Sequence, residues 1–125
     1  YHVNEDLKPL ERAGVLDFVE GDTEICPGVE VFLTPGHTRA HQSVLVKAGD
    51  EKICFVGDLV PTSRHMHPVY IMAFDLYPRD TFRVRQDVLG KAASERWLLS
   101  WPHDPDVPWG YIEEGNRGSY IVVEE

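Results

Sequence analysis

The alternation of apolar and polar positions predicts a short helix, a run of closely spaced strands, one long helix and a final group of strands. Asn4 to Ala13 reads as the first helix: Asn4 caps it, Glu5 and Asp6 suit its first turn, Leu7 and Leu10 share a face, and Gly14 ends it. Pro9 leaves its boundary open by a turn. Val15 to Val19 alternates like a half-exposed strand, Glu24 to Cys26 sits between turns at Gly21-Asp22 and Pro27-Gly28, and Val29 to Leu33 returns as a strand. Ser43 to Ala48 and Lys52 to Val56 form a hairpin across Gly49-Asp50-Glu51, its second strand almost wholly apolar. Such a strand is covered on both faces. Helices can cover one; the other needs a second sheet, which this chain can hardly build by itself.

Leu59 to Pro78 has no periodicity and is broken by Pro61, Pro68 and Pro78, yet it is dense in His65, Met66, His67, Tyr70, Met72, Phe74 and Tyr77. Two readings stand for this stretch: the wall of a pocket, or a loop packed over the core by its own aromatics. Asp80 to Arg96 is the long helix, with Asp80 as N-cap and Phe82, Val88, Leu89, Ala92 and Ala93 as its apolar stripe. Trp97 to Trp101 then reads as a buried strand ending at Pro102-His103-Asp104, and the tail from Tyr111 to Val123 as a hairpin.

Composition narrows the class. A length of 125 residues predicts a single domain, 1–125, with a modest core, and 42% hydrophobic residues without a membrane-length apolar run predict a soluble chain. A net charge of −9 argues against nucleic-acid and anionic-membrane partners, because phosphate recognition needs a basic surface. Cys26 and Cys54 are the only cysteines; lying in apolar strand patterns, they read as two buried core residues in a reducing, cytoplasmic compartment, with a cross-strand disulfide as the alternative.

The chemistry gathers between Leu33 and Asp58. An apolar strand runs into Thr34-Pro35-Gly36-His37, and the later strand Ile53 to Val56 runs into Gly57-Asp58. Each glycine allows a sharp bend just before a polar side chain, so an imidazole and a carboxylate stand at strand ends on loops held by a rigid sheet. Both are ligand types for a borderline metal such as zinc. A lone histidine in a Pro-Gly turn is an ordinary hydrogen-bonded loop residue, and a Gly-Asp after a strand is an ordinary turn. His103 also follows a strand, so one sheet edge can bring His37, Asp58 and His103 together.

Thr34-Pro35-Gly36-His37-Thr38 with His41-Gln42-Ser43, then Phe55-Val56-Gly57-Asp58, then Trp101-Pro102-His103-Asp104 resemble three ordered motifs of the metallo-β-lactamase superfamily, nearest its lactonase- and glyoxalase-like hydrolases. The resemblance implies an α/β fold: the C-terminal half of an αββα four-layer sandwich, with a mostly antiparallel or mixed sheet and one long helix. It implies a metal-dependent hydrolase of ester, lactone or thioester bonds in a small acyl substrate. His37 would complete one metal site and His103 the other, with Asp58 bridging both as the catalytic carboxylate. Two zinc ions per complete site are implied, iron or manganese being allowed. His41 is expected as a structural partner in the turn, Asp104 as a residue orienting His103, and His65 and Tyr70 as parts of the substrate pocket. Some lactonases place a tyrosine three residues after the bridging aspartate; here that position is Pro61.

The family's His-x-His-x-Asp-His motif has no counterpart in the chain, which opens on Tyr1, so a C-terminal half of a longer protein is expected. Alone it should be inactive, bind metal weakly, and pair as a homodimer through the sheet face left open. Two alternatives remain: a non-catalytic domain of the same fold, and a cupin-like barrel binding metal through His65 and His67.

Overall fold

The computed structural model describes residues 3–123. Seven strands form one sheet in sequence order: β1 Thr23–Cys26, β2 Val29–Leu33, β3 Gln42–Ala48, β4 Glu51–Phe55, β5 Leu98–Ser100, β6 Trp109–Glu114 and β7 Tyr120–Val123. β1 to β4 are an antiparallel meander. Helix α3, Pro78–Ser94, then carries the chain over, so that β5 pairs parallel with β4, Ile53 opposite Leu98 and Phe55 opposite Ser100. β6 and β7 return antiparallel. This is the expected α/β arrangement of a mixed sheet with one long helix. Its directions matter for the site: β2, β4 and β5 all point the same way, so the loops after their C-terminal ends leave one edge of the sheet.

The strand period of two divides the sheet into two different faces. Leu45, Cys54, Leu99 and Ile112 are buried in one core with Val88, Leu89 and Ala92 of α3 and with Trp97 and Trp101. On the other face, Val44 stands opposite Phe55, Val46 opposite Ile53, Ile53 opposite Leu98 and Ser100 opposite Trp109. Ile53, Phe55 and Trp109 are exposed there. As expected, α3 covers one face of the sheet, while the other carries exposed apolar side chains.

Several local expectations change. The first helix is two short pieces, α1 Val3–Asp6 and α2 Lys8–Arg12, because Pro9 cannot supply the amide that a continuous helix needs and instead starts a new one. His2 and the side chain of Asn4 lie outside the described residues. Val15 to Val19 is not a strand; no neighbour offers it a ladder, and Val15 and Phe18 are exposed. Tyr77, not Asp80, caps α3; Pro78 takes the first turn, and Asp80 adds its charge near the positive end of the helix dipole. Both cysteines are free thiols, but only Cys54 is buried, since Cys26 ends the edge strand β1. The cupin-like reading fails: the sheet is open, with His65 in a 3-10 turn, Ser63–His65, and His67 in the loop beyond it.

Candidate functional site

His37, Asp58 and His103 meet at the edge shared by β2, β4 and β5. His37 Nε2 lies 3.6 Å from Asp58 Oδ2, and His103 Nε2 lies 2.9 Å from Asp58 Oδ1. Each carboxylate oxygen thus faces a different imidazole. The loop bearing His37 is closed by Thr34 N–H donating to His41 O and is tied to the start of α3, where Tyr77 N–H donates to Gly36 O. Gly36 has φ +149°, and a Cβ there would stand 2.6 Å from the backbone nitrogen of Thr81, so only glycine lets the loop lie against the helix.

Behind His37 stands Asp75, whose side chain is 0% exposed and whose Oδ1 is 3.0 Å from His37 Nδ1. An ionised carboxylate can only accept, so Nδ1 donates to Asp75, and in the neutral ring that tautomer leaves the Nε2 lone pair towards Asp58. This carboxylate–histidine pairing fixes both the tautomer and the ring plane. Asp75 lies in the irregular loop, where no periodicity singles it out.

His41 takes a different part. Asp58 N–H donates to His41 Nε2 at 3.0 Å, so Nδ1 carries the ring proton and donates to Thr34, 2.7 Å from Oγ1 and 3.1 Å from O. Ser43 Oγ–H donates to Val56 O at 3.0 Å, which leaves Ser43 Oγ to accept from Thr34 Oγ–H at 2.9 Å. Every proton in this chain has one direction, and all of it requires a neutral His41. Burial pushes the His41 pKa below its ordinary value, the nearby Asp58 charge opposing. His41 therefore holds the Asp58 peptide rather than facing the cleft, and Thr34 and Ser43 extend that support in a way the sequence motif did not reveal.

On the third side, His103 N–H donates to Pro61 O. Asp104 does not contact the His103 ring. Its Oδ2 accepts from Ser63 N–H and Oγ–H, and its Oδ1 accepts from Asp106 N–H and Val107 N–H. The two Ser63 bonds staple the loop after Asp58 to the loop carrying His103, and the other two close that second loop on itself. Together they hold the Asp104 carboxyl well below the usual carboxylate range, the Ser63 hydroxyl contributing most. His65 is half-buried, bonded through Nδ1 to Thr62 Oγ1 at 2.8 Å; burial lowers its pKa, and the positive charge of Arg85 lowers it further. Tyr70 is exposed, its ring stacked on His67 at 5.2 Å. The structure thus places His65 within electrostatic reach of Asp75 and turns the Tyr70 ring onto its own loop.

Two donors within about 2.0–2.2 Å of one tetrahedral zinc stand about 3.3–3.6 Å apart. His37 Nε2 and Asp58 Oδ2 already have that separation, while His103 and Asp58 are at hydrogen-bond distance. Among the described residues, no group of three His, Cys, Asp or Glu side chains is placed to hold one ion. His37 and Asp58 therefore have the spacing of two ligands on one ion, while His103 and Asp58 are hydrogen-bonded to each other.

A sequence model of the metallo-beta-lactamase superfamily matches residues 2–105, and the chain belongs to that superfamily. A stretch of 29 residues is 55% identical to an N-acyl homoserine lactonase of a Bacillus sp., covering 23% of this chain and 12% of that protein. A Bacillus cereus N-acyl homoserine lactonase is 52% identical over the same length. The fold is similar to that of AbOPH, a hydrolase of the beta lactamase superfamily: TM-score 0.85 and 22% identity over 98% of this chain and 43% of that one. It is also similar to AidC, a dizinc quorum-quenching lactonase, at TM-score 0.78 and 18% identity over 98% of this chain and 46% of AidC. The chain spans less than half the length of these solved structures.

Proposed function

We propose that the intact protein is a metal-dependent hydrolase of ester, lactone or thioester bonds in a small acyl substrate, to whose two-metal centre this chain gives His37, Asp58 and His103. The observation that carries the reading is the pair of imidazole Nε2 atoms flanking the two oxygens of one carboxylate, with the further nitrogen of His37 committed to buried Asp75. Imidazole and carboxylate donors suit zinc, and iron or manganese equally satisfy them. When bound, such ions supply Lewis acidity and an activated water at neutral pH.

The chain's own residues set the frame for that chemistry. Asp75 accepts from His37 Nδ1–H and fixes the ring plane, His41 fixes the peptide of Asp58, and the Asp104 staple holds the His103 loop against Pro61. Asp58, with one oxygen facing each imidazole, would serve both halves. Substrate contacts fall to the loop after Asp58, with His65 as its half-buried polar member. The lactonase similarity of the 29-residue stretch favours a lactone among the acyl substrates.

The test uses the full-length protein, its metal content, and a panel of lactones, esters and thioesters. Asp58→Ala should abolish turnover and release metal from both halves, whereas His65→Ala should raise KM with metal retained. Near-wild-type turnover of Asp58→Ala with full metal content would overturn the reading. An unchanged KM for His65→Ala across the panel would remove His65 from the pocket.

A further inference from the structure

Helix α3 turns an arginine into the core. Arg85 lies on the buried stripe with Thr81, Val88, Leu89 and Ala92 and is 0% exposed. A guanidinium persists in such a place only where its donors and its charge are answered. Its Nε donates to Leu59 O at 2.9 Å and its Nη1 to Tyr70 O at 2.7 Å. The first of these carbonyls belongs to the residue directly after Asp58.

Among the described residues the remaining nitrogen, Nη2, has no hydrogen-bond partner, and neither has Asp75 Oδ2. These are an orphaned donor and an orphaned acceptor on two buried groups of opposite charge. Asp75 lies within electrostatic reach of Arg85, without an ion-pair contact between the two among the described residues. The other oxygen of Asp75 holds His37. One buried cation therefore leads to both members of the same half-site: to Asp58 through the Leu59 backbone, and to His37 through Asp75. His103 has separate support, from Pro61 O and the Asp104 staple.

We infer that Arg85 is a positioning residue for the His37–Asp58 half of the metal centre, holding Asp75 as a fixed countercharge behind His37 while anchoring the backbone beside Asp58. The inference rests on the metallohydrolase reading above. It explains why a charge occupies a stripe position that methionine could fill by volume: methionine would leave Asp75 buried with no cation facing it.

The experiment compares full-length wild type with Arg85→Met, Arg85→Lys, Asp75→Asn and the Arg85→Met/Asp75→Asn double variant. Zinc affinities are read by competition with a chromophoric chelator, and the visible spectrum of the cobalt-substituted protein reports the ligand field. Loss of a group that orients a metal ligand typically lowers affinity about 10–100-fold. Arg85→Met should show a loss of that size at one of two sites, an altered cobalt spectrum for that site, and reduced kcat with KM unchanged. Arg85→Lys should recover part of the affinity. The double variant should lose less than the sum of the two single losses, since the Asp75 linkage is common to both and only the Leu59 anchor is lost separately with Arg85. Wild-type affinities in Arg85→Met, equal weakening of both sites, or losses that simply add would overturn the inference. If Arg85→Met fails to fold, Arg85→Lys and Asp75→Asn decide it: wild-type affinity in both overturns it, and selective loss in both supports it. A wild-type protein that takes up no metal overturns the metallohydrolase reading itself; two metals in wild type with an indifferent Arg85→Met overturns only this step.

Discussion

Gly57→Ala should damage the centre without touching a ligand. Gly57 has φ +58°, and a Cβ built on it would stand 2.8 Å from His41 Nε2 and 3.0 Å from Cε1. That nitrogen is the acceptor for Asp58 N–H. Alanine therefore brings two separable costs. Holding an L-residue in the left-handed region costs about 1–2 kcal/mol. Displacing His41 leaves the Asp58 amide unanswered, at about 1–3 kcal/mol. Their sum, about 2–5 kcal/mol, is a large share of the stability of an ordinary domain. Gly49 provides the control: its φ is +64°, but a Cβ there meets nothing within 4 Å, so Gly49→Ala carries the backbone cost alone. Urea unfolding of the full-length variants gives both free energies, and metal titration shows whether Asp58 has moved. Equal costs for Gly57→Ala and Gly49→Ala, with wild-type metal affinity in both, would refute the support assigned to His41.

Acidification should weaken the fold before its carboxylates titrate: His41 and His65 have pKa values lowered from 6.5, so the stability of their neutral forms is present above pH 6.5 and lost as pH falls through the lowered values. An unfolding free energy flat from pH 7 to 5 would show that neither is held neutral. A thiol reagent should label Cys26 in the folded protein and reach Cys54, whose thiol burial pushes up to about 12, only on unfolding; equal labelling rates would contradict the core placement. The isolated chain should self-associate through the face bearing Ile53, Phe55 and Trp109; sedimentation showing a compact monomer at micromolar concentration would refute that.

What the sequence disclosed followed the strength of its local rules. His37, Asp58 and His103 were legible because each follows an apolar strand, and strand direction then settles that the three loops share an edge. Asp75 was not legible, since the stretch from Leu59 to Tyr77 has no period against which one carboxylate stands out; its role appears only when the loop folds back beneath His37. Arg85 does carry a signal in its spacing. Positions 81, 85, 88, 89 and 92 recur on one helix face, so a charge at 85 falls on the buried stripe and calls for a partner. Val15 to Val19 failed for the opposite reason: alternation fits a strand, but a strand also needs a neighbour with a free edge, which no local pattern reports. Asp104 is read from the sequence as orienting His103, yet its four hydrogen bonds run to Ser63, Asp106 and Val107, partners that adjacency to His103 in sequence does not suggest.

The three donors are held with unequal firmness, and the inequality follows from what backs each one. His37 has a fully buried carboxylate behind it and is 24% exposed, Asp58 is gripped through its peptide by the neutral His41 chain, and His103 has a ring 62% exposed whose side-chain bond is to Asp58 itself. A hydrogen bond at so exposed a position competes with water and restrains the ring weakly. On the proposed reading, an ion at His37 would find an imidazole and a carboxylate oxygen already at ligand spacing, while one at His103 would first have to displace the bond between imidazole and carboxylate. The order of preorganisation would then follow from this packing, with the His37 side ready and the His103 side having to rearrange.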